Sequence, residues 1–500
     1  MSDQEVSAGA YTSSNVTRLL CAGTYLDAGF RKIVIRELLG NQHRVVAPSY
    51  GYDVVPVLAH ALAAQRLRRT QVLSTLAGLP VVALLFVTQA VGPIAALVLF
   101  FWWGWVTGFM RRVATLDTLI TRLRAPAGRG FDGHLPESAH LTSELIRKLD
   151  EEQATDGGLV YYGGYKPFVG AGAALPDWSS AELLIEARRP RDLSEATGGS
   201  RSEEERIIPF TVSDITSYVA QKLVSELRDN AKDEEKIRKL TVEKRRYAKA
   251  TAHSSNWSEG YLVAAPKIHW EENYDAAREY LCIRIGSWEQ EIVTSMFVGF
   301  DIKGNTLHTE FYPYVLLPIK SSFHVINRMP QNTEGVVIKA AFDALLTAPK
   351  DVISIMMNPF QDRLPRIVAD GVEAGYDKVP LDGSDLGMAG YALRELDRGA
   401  VTSVRELATA SGFHHFFQRS DTVKYRQIVE RRLLQIIETF LAEHNVDLRD
   451  HHANQTTILN QAYGDVHSYG ANAVVSQGNR GRQGFPRART APDAAKEMTH

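Results

Sequence analysis

The sequence predicts an α+β cytoplasmic region, built on an antiparallel sheet with flanking helices, that is attached to a transmembrane helical hairpin. Residues 70–110 carry no charged side chain, and arginines stand at both ends of this segment. Residues 207–350 instead alternate apolar and polar side chains in short runs, as half-buried strands do. The chain has 500 residues, 45% hydrophobic and 23% charged, which is enough for two or three domains with cores.

The uncharged segment 70–110 divides into two helices. Its middle contains Gly92 and Pro93, which break a helix and leave about 17 to 20 apolar residues on each side. At 1.5 Å per residue, a helix of 17 residues measures roughly 25 Å, against a hydrocarbon core of about 30 Å. The hairpin therefore either just spans the bilayer or is re-entrant. The alternative is a buried hairpin in the core of a soluble protein.

The arginines beside the hairpin predict its sidedness. They are Arg66, Arg68 and Arg69 before it and Arg111 and Arg112 after it. Because basic residues favour the cytoplasmic side, both flanks and both termini are expected there. The first twenty residues lack the basic start and apolar run of a secretory signal. The predicted location is the cell inner membrane, with the lipid bilayer as a partner.

Residues 1–69 predict a cytoplasmic amphipathic helical segment. Asp27 can cap one helix and Asp53 a second, which runs towards the arginines at the membrane. The first helix carries basic side chains on its polar face, namely Arg31, Lys32 and Arg36. The two helices either lie on anionic lipids or form a helical cap on the soluble domain, and the sequence leaves both possibilities open.

Residues 111–188 predict a membrane-proximal helix and the start of the soluble region, with strands at 160–162 and 181–188. Between the two strands, the glycine-rich loop 163–172 can cradle an anion through its backbone amides, although it lacks the ending of a P-loop. The alternative is a turn system that lets its aromatic side chains pack. Residues 189–206 are polar and contain Gly and Pro, which predicts a disordered linker.

Residues 207–350 predict the α+β domain itself. Ser213 or Asp214 can cap a helix that ends near residue 227, and the charged stretch 229–250 is interpreted as a solvated face. The strands are predicted at 260–264, 280–285, 291–300 and 306–317. Gly304 and its neighbours supply the turn between the last two strands. A helix over residues 332–346 follows, with Leu345 among its buried side chains.

Residues 351–446 predict a helical region, with helices at 401–410 and 421–444. The second helix has an apolar stripe that predicts a core position rather than a coiled coil: Tyr425, Ile428, Leu433, Ile436, Ile437 and Phe440. Residues 447–479 predict a small β-type tail of two or three strands, and residues 480–500 predict disorder. Because so small a β-unit needs a partner, residues 455–479 are the hypothesised site of self-association or of a protein partner.

Four phrases of the sequence resemble a known group of proteins. They are LLCAGTYLDAGFRKIVIRELL, HRVVAPSYGYDVVPVLAHAL, YYGGYKPFVGAGAALPDWS and EYLCIRIGSWEQEIVTSMFVGFDIKGNTLHTEFYPYVLLPIKSSFHVIN. In these phrases, and in its architecture over most of residues 18–450, the chain resembles a group of uncharacterised actinobacterial two-pass membrane proteins with a large cytoplasmic region. The resemblance implies a membrane protein with a cytoplasmic bulk, and it carries over no catalytic residue.

The common catalytic motifs are absent from the sequence. It contains no HExxH, no GxSxG, no set of kinase motifs and no cysteine pair at zinc spacing. Cys21 and Cys282 are interpreted as small buried hydrophobes. Acid and base side chains that lie close in sequence are Asp362 and Asp370 near Arg363 and Arg366, and Glu271 and Glu272 near His269. Nothing in their spacing selects them, so no catalytic residue and no cofactor is assigned.

Two histidine pairs are the candidate metal ligands. They are His414-His415 and His451-His452, with Asp447 or Asp450 near the second pair. Adjacent side chains on a helix point about 100° apart and rarely share one metal ion. The sequence therefore predicts no metal site.

Three classes of function remain. The formal net charge of -2 argues against a nucleic-acid-binding protein, and acidic residues interrupt the basic segment 232–249. An enzyme whose site is assembled from distant residues stays possible. The class that the sequence favours is a membrane-anchored, cytoplasm-facing interaction or signalling scaffold, because the anchor is visible and catalytic motifs are not.

Overall fold

The computed structural model describes residues 11–41, 44–124, 131–154, 158–187, 206–253, 277–329, 333–357, 395–397 and 399–464. The helices are α1 (Asn15–Leu26), α2 (Ala28–Ile35), α3 (Val54–Val87), α4 (Pro93–Thr118), α5 (Ser143–Ala154), α6 (Val212–Val224), α7 (Val325–Arg328), α8 (Thr333–Met357), α9 (Val404–Leu407), α10 (Phe416–Glu443) and α11 (Arg449–Gly464). The strands are β1 (Leu159–Tyr162), β2 (Ala173–Ala174), β3 (Trp178–Leu183), β4 (Leu240–Lys249), β5 (Thr251–His253), β6 (Arg278–Ser287), β7 (Ile292–Lys303), β8 (Thr306–Leu316) and β9 (Glu395–Asp397).

The amino-terminal helices begin at the predicted capping residues. The Asp27 carboxylate accepts hydrogen bonds from the amides of Gly29 and Phe30 at the start of α2, and Asp53 accepts one from Val55 at the start of α3. Such side-chain caps satisfy backbone donors that have no partner within the helix. The caps that the sequence predicted at Asp27 and Asp53 are confirmed.

These helices form a cap that packs on the rest of the protein. Apolar side chains of α1, α2 and the first half of α3 share one buried cluster with Phe323, Ile326 and Val404. Arg31 is 5% exposed, and its guanidinium donates to Oε1 of Gln65 and to the carbonyl of Thr24. Because Arg31 is enclosed in this way, it cannot bind lipid headgroups, whereas Lys32 is half-buried and Arg36 is exposed. The structure thus supports the helical-cap alternative.

α3 passes without a break from this buried cap into the hairpin. It is 34 residues long, with Val54 to Leu62 in the core and Leu84 to Val87 exposed at its other end. The boundary that the sequence predicted at residue 69 therefore does not exist in the structure. The hairpin turn lies between α3 and α4, with Gly92 as the N-cap of α4 and Pro93 in its first turn, as predicted.

Seven strands form one curled sheet in the order β1-β4-β6-β7-β8-β2, and β3 also pairs with β8. The pairs are antiparallel except for β1 with β4. Gly304 and Asn305 form the two-residue turn between β7 and β8, and both have positive φ angles of 54° and 59°. The predicted α+β class and the strands β6 to β8 are confirmed. However, β1, β2 and β3 join the sheet from before residue 207, where the domain was predicted to begin.

The segment 229–250 is not the solvated face that its charge suggested. Its second half is β4, which lies between β1 and β6 inside the sheet. Charged side chains alternate along this strand: Lys244 and Arg246 are exposed, whereas Arg245 is buried. Side chains along β4 alternate between the two faces of the sheet, as in any strand. Because both faces of β4 carry charged side chains, the sequence shows no alternation of apolar and polar residues, and the strand was missed. The strand predicted at 260–264 lies outside the described residues, as do positions 189–205 of the predicted linker.

Helices α6 and α10 cover one face of the sheet. Their apolar side chains join those of β6, β7 and β8 in a second buried cluster, which includes Leu433, Ile436, Ile437 and Phe440 of the predicted stripe. The N-cap of α6 is Thr211, and Asp214 completes a capping box with it instead of capping the helix itself. The helix predicted at 401–410 shortens to the single turn α9.

The small β-type tail predicted at 447–479 is wrong up to Gly464, because this part of the chain is the helix α11. The side chains of α11 that face the protein recur at helical spacing, at His451, Gln455 and Ile458. Two of these three are polar, so a hydrophobic pattern does not reveal the helix. Residues 465–500 lie outside the described residues.

Helix α8 is longer than predicted and buries a different face. It continues to Met357 and crosses α4 at the base of the hairpin. Its buried side chains include Ala340, Ala344 and Ala348, whereas Leu345 is 56% exposed. Small side chains let two helix backbones approach closely, which explains why alanines face α4.

Candidate functional site

The hairpin of α3 and α4 is the first candidate site. Both helices are long and apolar enough to span a membrane, and only 17% of the residues in the most apolar window of each helix are buried. Large apolar side chains near the turn, such as Val87 and Ile94, expose 76% and 80% of their surface. The core helix of a soluble protein would bury these side chains. A buried core hairpin therefore does not fit the structure.

The two hairpin helices contact each other through small and polar groups. The hydroxyls of Thr75 and Thr107 lie 2.9 Å apart, and Nε1 of Trp103 donates to the carbonyl of Ser74 at 2.8 Å. Gly78 lies directly against the Trp103 indole, so that an added Cβ would come within 2.3 Å of the ring. Close approach at small residues and hydrogen bonds between hydroxyls are typical of helix pairs in membranes.

Three of the five flanking arginines come together at the base of the hairpin. Arg68 and Arg112 both lie close enough to Arg111 for their charges to act on it, together with the carboxylate of Asp351 on α8. The other two, Arg66 and Arg69, are exposed on α3. All five arginines are thus at the end of the hairpin nearest the cap, where lipid headgroups would meet the protein if the hairpin enters a membrane.

The glycine-rich loop 163–172 does cradle an anion, but the anion belongs to the protein. The Glu406 carboxylate accepts hydrogen bonds from the amides of Gly170 at 3.1 Å and Gly172 at 3.0 Å. The same carboxylate also accepts from the amide of Ser403 at 2.8 Å, which completes a capping box at α9. Because an internal carboxylate occupies these amides, the loop does not offer them to a phosphate.

The loop also places one aromatic ring at the centre of the second sheet face. Phe168 is 5% exposed and stacks on Phe297 with ring centroids 4.0 Å apart. Its edges meet four tyrosine rings, those of Tyr247, Tyr280, Tyr312 and Tyr314. The predicted alternative for this loop, a turn system that lets aromatic side chains pack, is what the structure shows.

Next to this cluster, the same face carries a buried charged group. Glu243 on β4 bridges two guanidinium groups, since it accepts from Arg245 at 2.8 Å and also from Arg284 on β6. The Tyr50 ring lies beneath both cations, 5.6 Å from the Arg245 carbon Cζ and 5.1 Å from that of Arg284. Burial alone would raise the pKa of Glu243, but the two cations outweigh it and hold the pKa below its ordinary value.

A small pocket opens beside this group. It is lined by Tyr11, Tyr50, Gly51, Lys239, Thr241, Arg284, Gly286, Gln290 and Val293. The Tyr50 hydroxyl and Nε of Arg284 are buried there, and neither has a hydrogen-bond partner among the described residues. Burial raises the pKa of Tyr50 to about 12, so its hydroxyl stays a donor near neutral pH. The pocket therefore presents cations and donors, which suits an anion better than acid–base catalysis.

Sequence reasoning did not find this pocket. Glu243 and Arg245 are two apart on β4, and the pairing of β4 with β6 brings Arg284 opposite Thr241. The sequence signal was the alternation of charged residues along 241–247, which a strand places on one face. The strand and its charged face were missed because the segment 229–250 was interpreted as a solvated face.

The predicted histidine pairs do not form a metal site. Nε2 of His414 lies 2.8 Å from the carbonyl of Ile319, and His415 stacks on Trp288. His451 pairs with Glu182 and His452 with Glu438. In the part of the chain that the structure describes, no group of three or more His, Cys, Asp or Glu side chains can hold a metal ion.

The remaining candidates from the sequence are the two cysteines and two groups of acid and base side chains. Cys21 and Cys282 are fully buried, as predicted. The acid and base side chains between 269 and 272 and between 362 and 370 lie outside the described residues.

Comparison with protein families gives one match. The model of the AbeC-like domain matches residues 177–480, which is more than half of the chain. The chain belongs to the AbeC-like domain family. The AbeC-like domain begins at β3 and includes β4, β6, α8, α10 and α11, while the hairpin and the glycine-rich loop lie before it. No curated protein and no solved structure matches the chain.

Proposed function

We propose that this protein is anchored in the cell inner membrane by its hairpin and holds its AbeC-like domain at the cytoplasmic face as an interaction or signalling scaffold. The observation that carries the proposal is the unbroken helix α3, which is buried in the cap at one end and exposes apolar side chains at the other. The resemblance to actinobacterial two-pass membrane proteins supports the same arrangement.

The five arginines support the orientation. They all lie at the base of the hairpin, next to the cap that packs on the rest of the protein, and basic residues favour the cytoplasmic side. Both termini would then be cytoplasmic. The uncharged parts of α3 and α4 are each about 27 Å long at 1.5 Å per residue, so the turn reaches the far headgroups or stops just short of them.

The orientation is tested with single cysteines in intact cells. Cys21 and Cys282 are fully buried and can stay in the background. Exposed positions for a reporter are Ser13 before the hairpin and Ala139 after it. An impermeant thiol reagent should leave Ser13→Cys and Ala139→Cys unlabelled until the cells are opened. Labelling of either variant in intact cells would contradict the proposed orientation.

A third variant determines how deep the hairpin reaches. Ala90 is exposed in the turn between α3 and α4. If the hairpin spans the bilayer, Ala90→Cys is labelled from outside the cell, and if the hairpin is re-entrant, this variant stays protected. Both results agree with two cytoplasmic termini, so this variant separates the two forms of the anchor.

The scaffold role requires a partner, and we place its recruitment at the end of α11 and the residues that follow, 465–479. α11 is docked on β3 through His451 and Glu182, so it would present the chain beyond Gly464 from a fixed position. Deleting residues 465–500 from the full chain should lower the number of copies per particle in detergent, measured by light scattering, or remove a protein that copurifies from native membranes. An unchanged number of copies and an unchanged set of copurifying proteins would contradict recruitment by this segment.

The pocket beside Tyr50 supports a second candidate function, which is the binding of a small anion. Its buried unpaired donors and the exposed Lys239 at its rim carry this proposal. Titration calorimetry with inorganic phosphate should show weaker binding to Lys239→Gln than to the wild type. Lys244→Gln is the matched control, because Lys244 is exposed on the other face of the same sheet. The absence of phosphate binding to the wild-type protein would reject the anion site.

A further inference from the structure

Helix α8 presents a long apolar surface to the outside of the protein. Six of its large apolar side chains each expose more than half of their surface: Ile338, Phe342, Leu345, Leu346, Ile353 and Met357. A soluble protein rarely leaves a continuous apolar surface of this kind uncovered. Among the residues that the structure describes, nothing covers this surface, which points to a further occupant.

The side chains of α8 divide into three sectors around its axis. The first sector is buried against α4 and includes three alanines and a valine at a spacing of four, followed by one isoleucine: Ala340, Ala344, Ala348, Val352 and Ile355. The second sector is the exposed apolar surface. The third, on the far edge of that surface, is polar and exposed, with Lys339, Asp343, Lys350 and Ser354.

This order of sectors identifies the occupant. A helix that lies in a membrane interface has an apolar face in the acyl chains and a charged face in water. In α8, the apolar sector is flanked by the protein on one side and by charged residues on the other. A protein partner on the apolar sector would need a boundary that follows this charged edge. A flat lipid surface needs no such boundary, because it covers the apolar sector and leaves the charged edge in water.

The position of α8 along the hairpin agrees with the same occupant. Val352 packs against Gly104, where an added Cβ would lie 2.2 Å from the valine methyl. Nε1 of Trp105 donates to the carbonyl of Ala341 at 3.1 Å, and Arg112 donates to Thr347 at 2.6 Å. α8 thus crosses α4 between Gly104 and Arg112, a stretch that runs from the flanking arginines about 10 Å into the uncharged segment. Tryptophan and arginine are the side chains that prefer this boundary between acyl chains and headgroups.

We propose that α8 lies in the plane of the membrane at the cytoplasmic headgroup level, with its exposed apolar sector in contact with lipid. The anchor then consists of three helices instead of two. The inference rests on the proposed function, because the hairpin defines where the membrane surface is. Because α8 packs directly on α4, the exposed apolar sector of α8 lies next to the exposed apolar side chains of the hairpin.

The test uses a polarity-sensitive fluorophore on single cysteines in the full chain, reconstituted into vesicles of phosphatidylcholine and phosphatidylglycerol. Phe342→Cys and Leu346→Cys report on the apolar sector. Ser354→Cys is the matched control on the polar edge of the same helix, and Leu97→Cys, 60% exposed on α4, reports on the hairpin. Each sample is measured with and without doxyl-labelled lipid, which quenches fluorophores that touch acyl chains.

At positions 342, 346 and 97, the fluorophore should shift its emission to the blue and lose intensity when doxyl lipid is present. At position 354 it should keep the emission that it has in water. If positions 342 and 346 behave like 354 while 97 is quenched, the hairpin is in the membrane and α8 is not, which overturns this inference alone. If 97 is also unquenched, the membrane anchor itself is wrong.

One further result would reject the lipid as the occupant. A blue shift at 342 and 346 without quenching by doxyl lipid would mean that a protein surface covers the apolar sector, either a second copy of this chain or another of its segments. Quenching at 342 and 346 but not at 354 is the only combination that supports an in-plane helix.

Discussion

His451 should make the docking of α11 depend on pH. Its ring lies in a buried position between α11, β3 and α10, with Nδ1 2.9 Å from a Glu182 oxygen and Nε2 3.1 Å from the carbonyl of Leu434. Both partners are hydrogen-bond acceptors, so both ring nitrogens must carry a proton to satisfy them. The charged imidazolium is therefore the form that holds α11 in place.

The direction of the pH effect follows from the pKa of His451. Burial alone would lower this pKa, but the hydrogen bond and the charge of Glu182 outweigh burial, and Glu438 on α10 adds to them, so the pKa is raised. His452, with its ring 6.4 Å away, is the neighbouring titratable group on α11. A raised pKa in the folded state means that the stabilisation is complete below about pH 6.5 and is lost as the pH rises through the raised value.

The size of the effect can be worked out from the contacts. Loss of the proton removes one hydrogen bond between the ring and Glu182, whose exposed fraction is only 4%. A hydrogen bond to a charged group contributes about 1.5–3 kcal/mol, which changes a local opening equilibrium by about tenfold to a hundredfold. Protection of the α11 amides should fall by this factor between acidic and alkaline pH.

Hydrogen exchange measured by mass spectrometry on the detergent-solubilised chain tests this prediction, with rates corrected for the intrinsic effect of pH. Peptides from Arg449–Gly464 should lose protection above the pKa of His451 in the wild type. In His451→Gln the protection should be low at every pH. His452→Gln is the matched control, because the His452 side chain is exposed and pairs with the partly exposed Glu438. Protection that is independent of pH in the wild type would refute the argument.

Three further changes should alter stability. Phe168→Ala should lower the free energy of unfolding by about 3–5 kcal/mol, measured by denaturant titration, because it empties the centre of the aromatic cluster, while Tyr165→Ala, at a 95% exposed position, should leave it unchanged. Glu406→Ala should lower the free energy of unfolding by about 1–3 kcal/mol for each loop amide that it leaves unpaired. A decrease of less than about 1 kcal/mol in total would contradict the role of Glu406 in the loop. Gly172→Ala should lower the melting temperature much more than Gly164→Ala, since both have positive φ but only at Gly172 would the Cβ meet backbone, 2.3 Å from the Val315 carbonyl oxygen.

The parts of the fold that the sequence predicted correctly depend on local signals. The hairpin is marked by the absence of charge and by Gly92 and Pro93, and both signals lie inside the segment itself. Strand β8 shows a period of two, and Gly304 and Asn305 join it to β7 with the positive φ angles that the turn requires. Caps at Asp27 and Asp53 are equally local.

The parts that were missed depend on contacts between distant residues. The occupant of the glycine-rich loop, Glu406, is 236 residues away from Gly170, so no local pattern connects them. The pocket beside Tyr50 needs β4 to be a strand, and this was hidden by charge on both of its faces. α11 was missed because two of the side chains that face the protein, His451 and Gln455, are polar, and His451 is held by hydrogen bonds to the distant Glu182 and to Leu434.

The continuity of α3 restricts how the soluble part can move. A flexible linker of n residues has a root-mean-square end-to-end distance of about 5–6 Å × √n. A domain on such a linker would change both its distance from the anchor and its orientation. Helix α3 runs from the cap core at Val54 into the apolar hairpin, and Pro80, a residue that kinks helices, lies in the hairpin part. If the hairpin enters a membrane, as we propose, the cap cannot tilt against it without a bend in the hydrogen-bonded helix between Val54 and Thr70. The domain would then be held at one height and one angle, and partners that diffuse in the same bilayer would meet it already oriented.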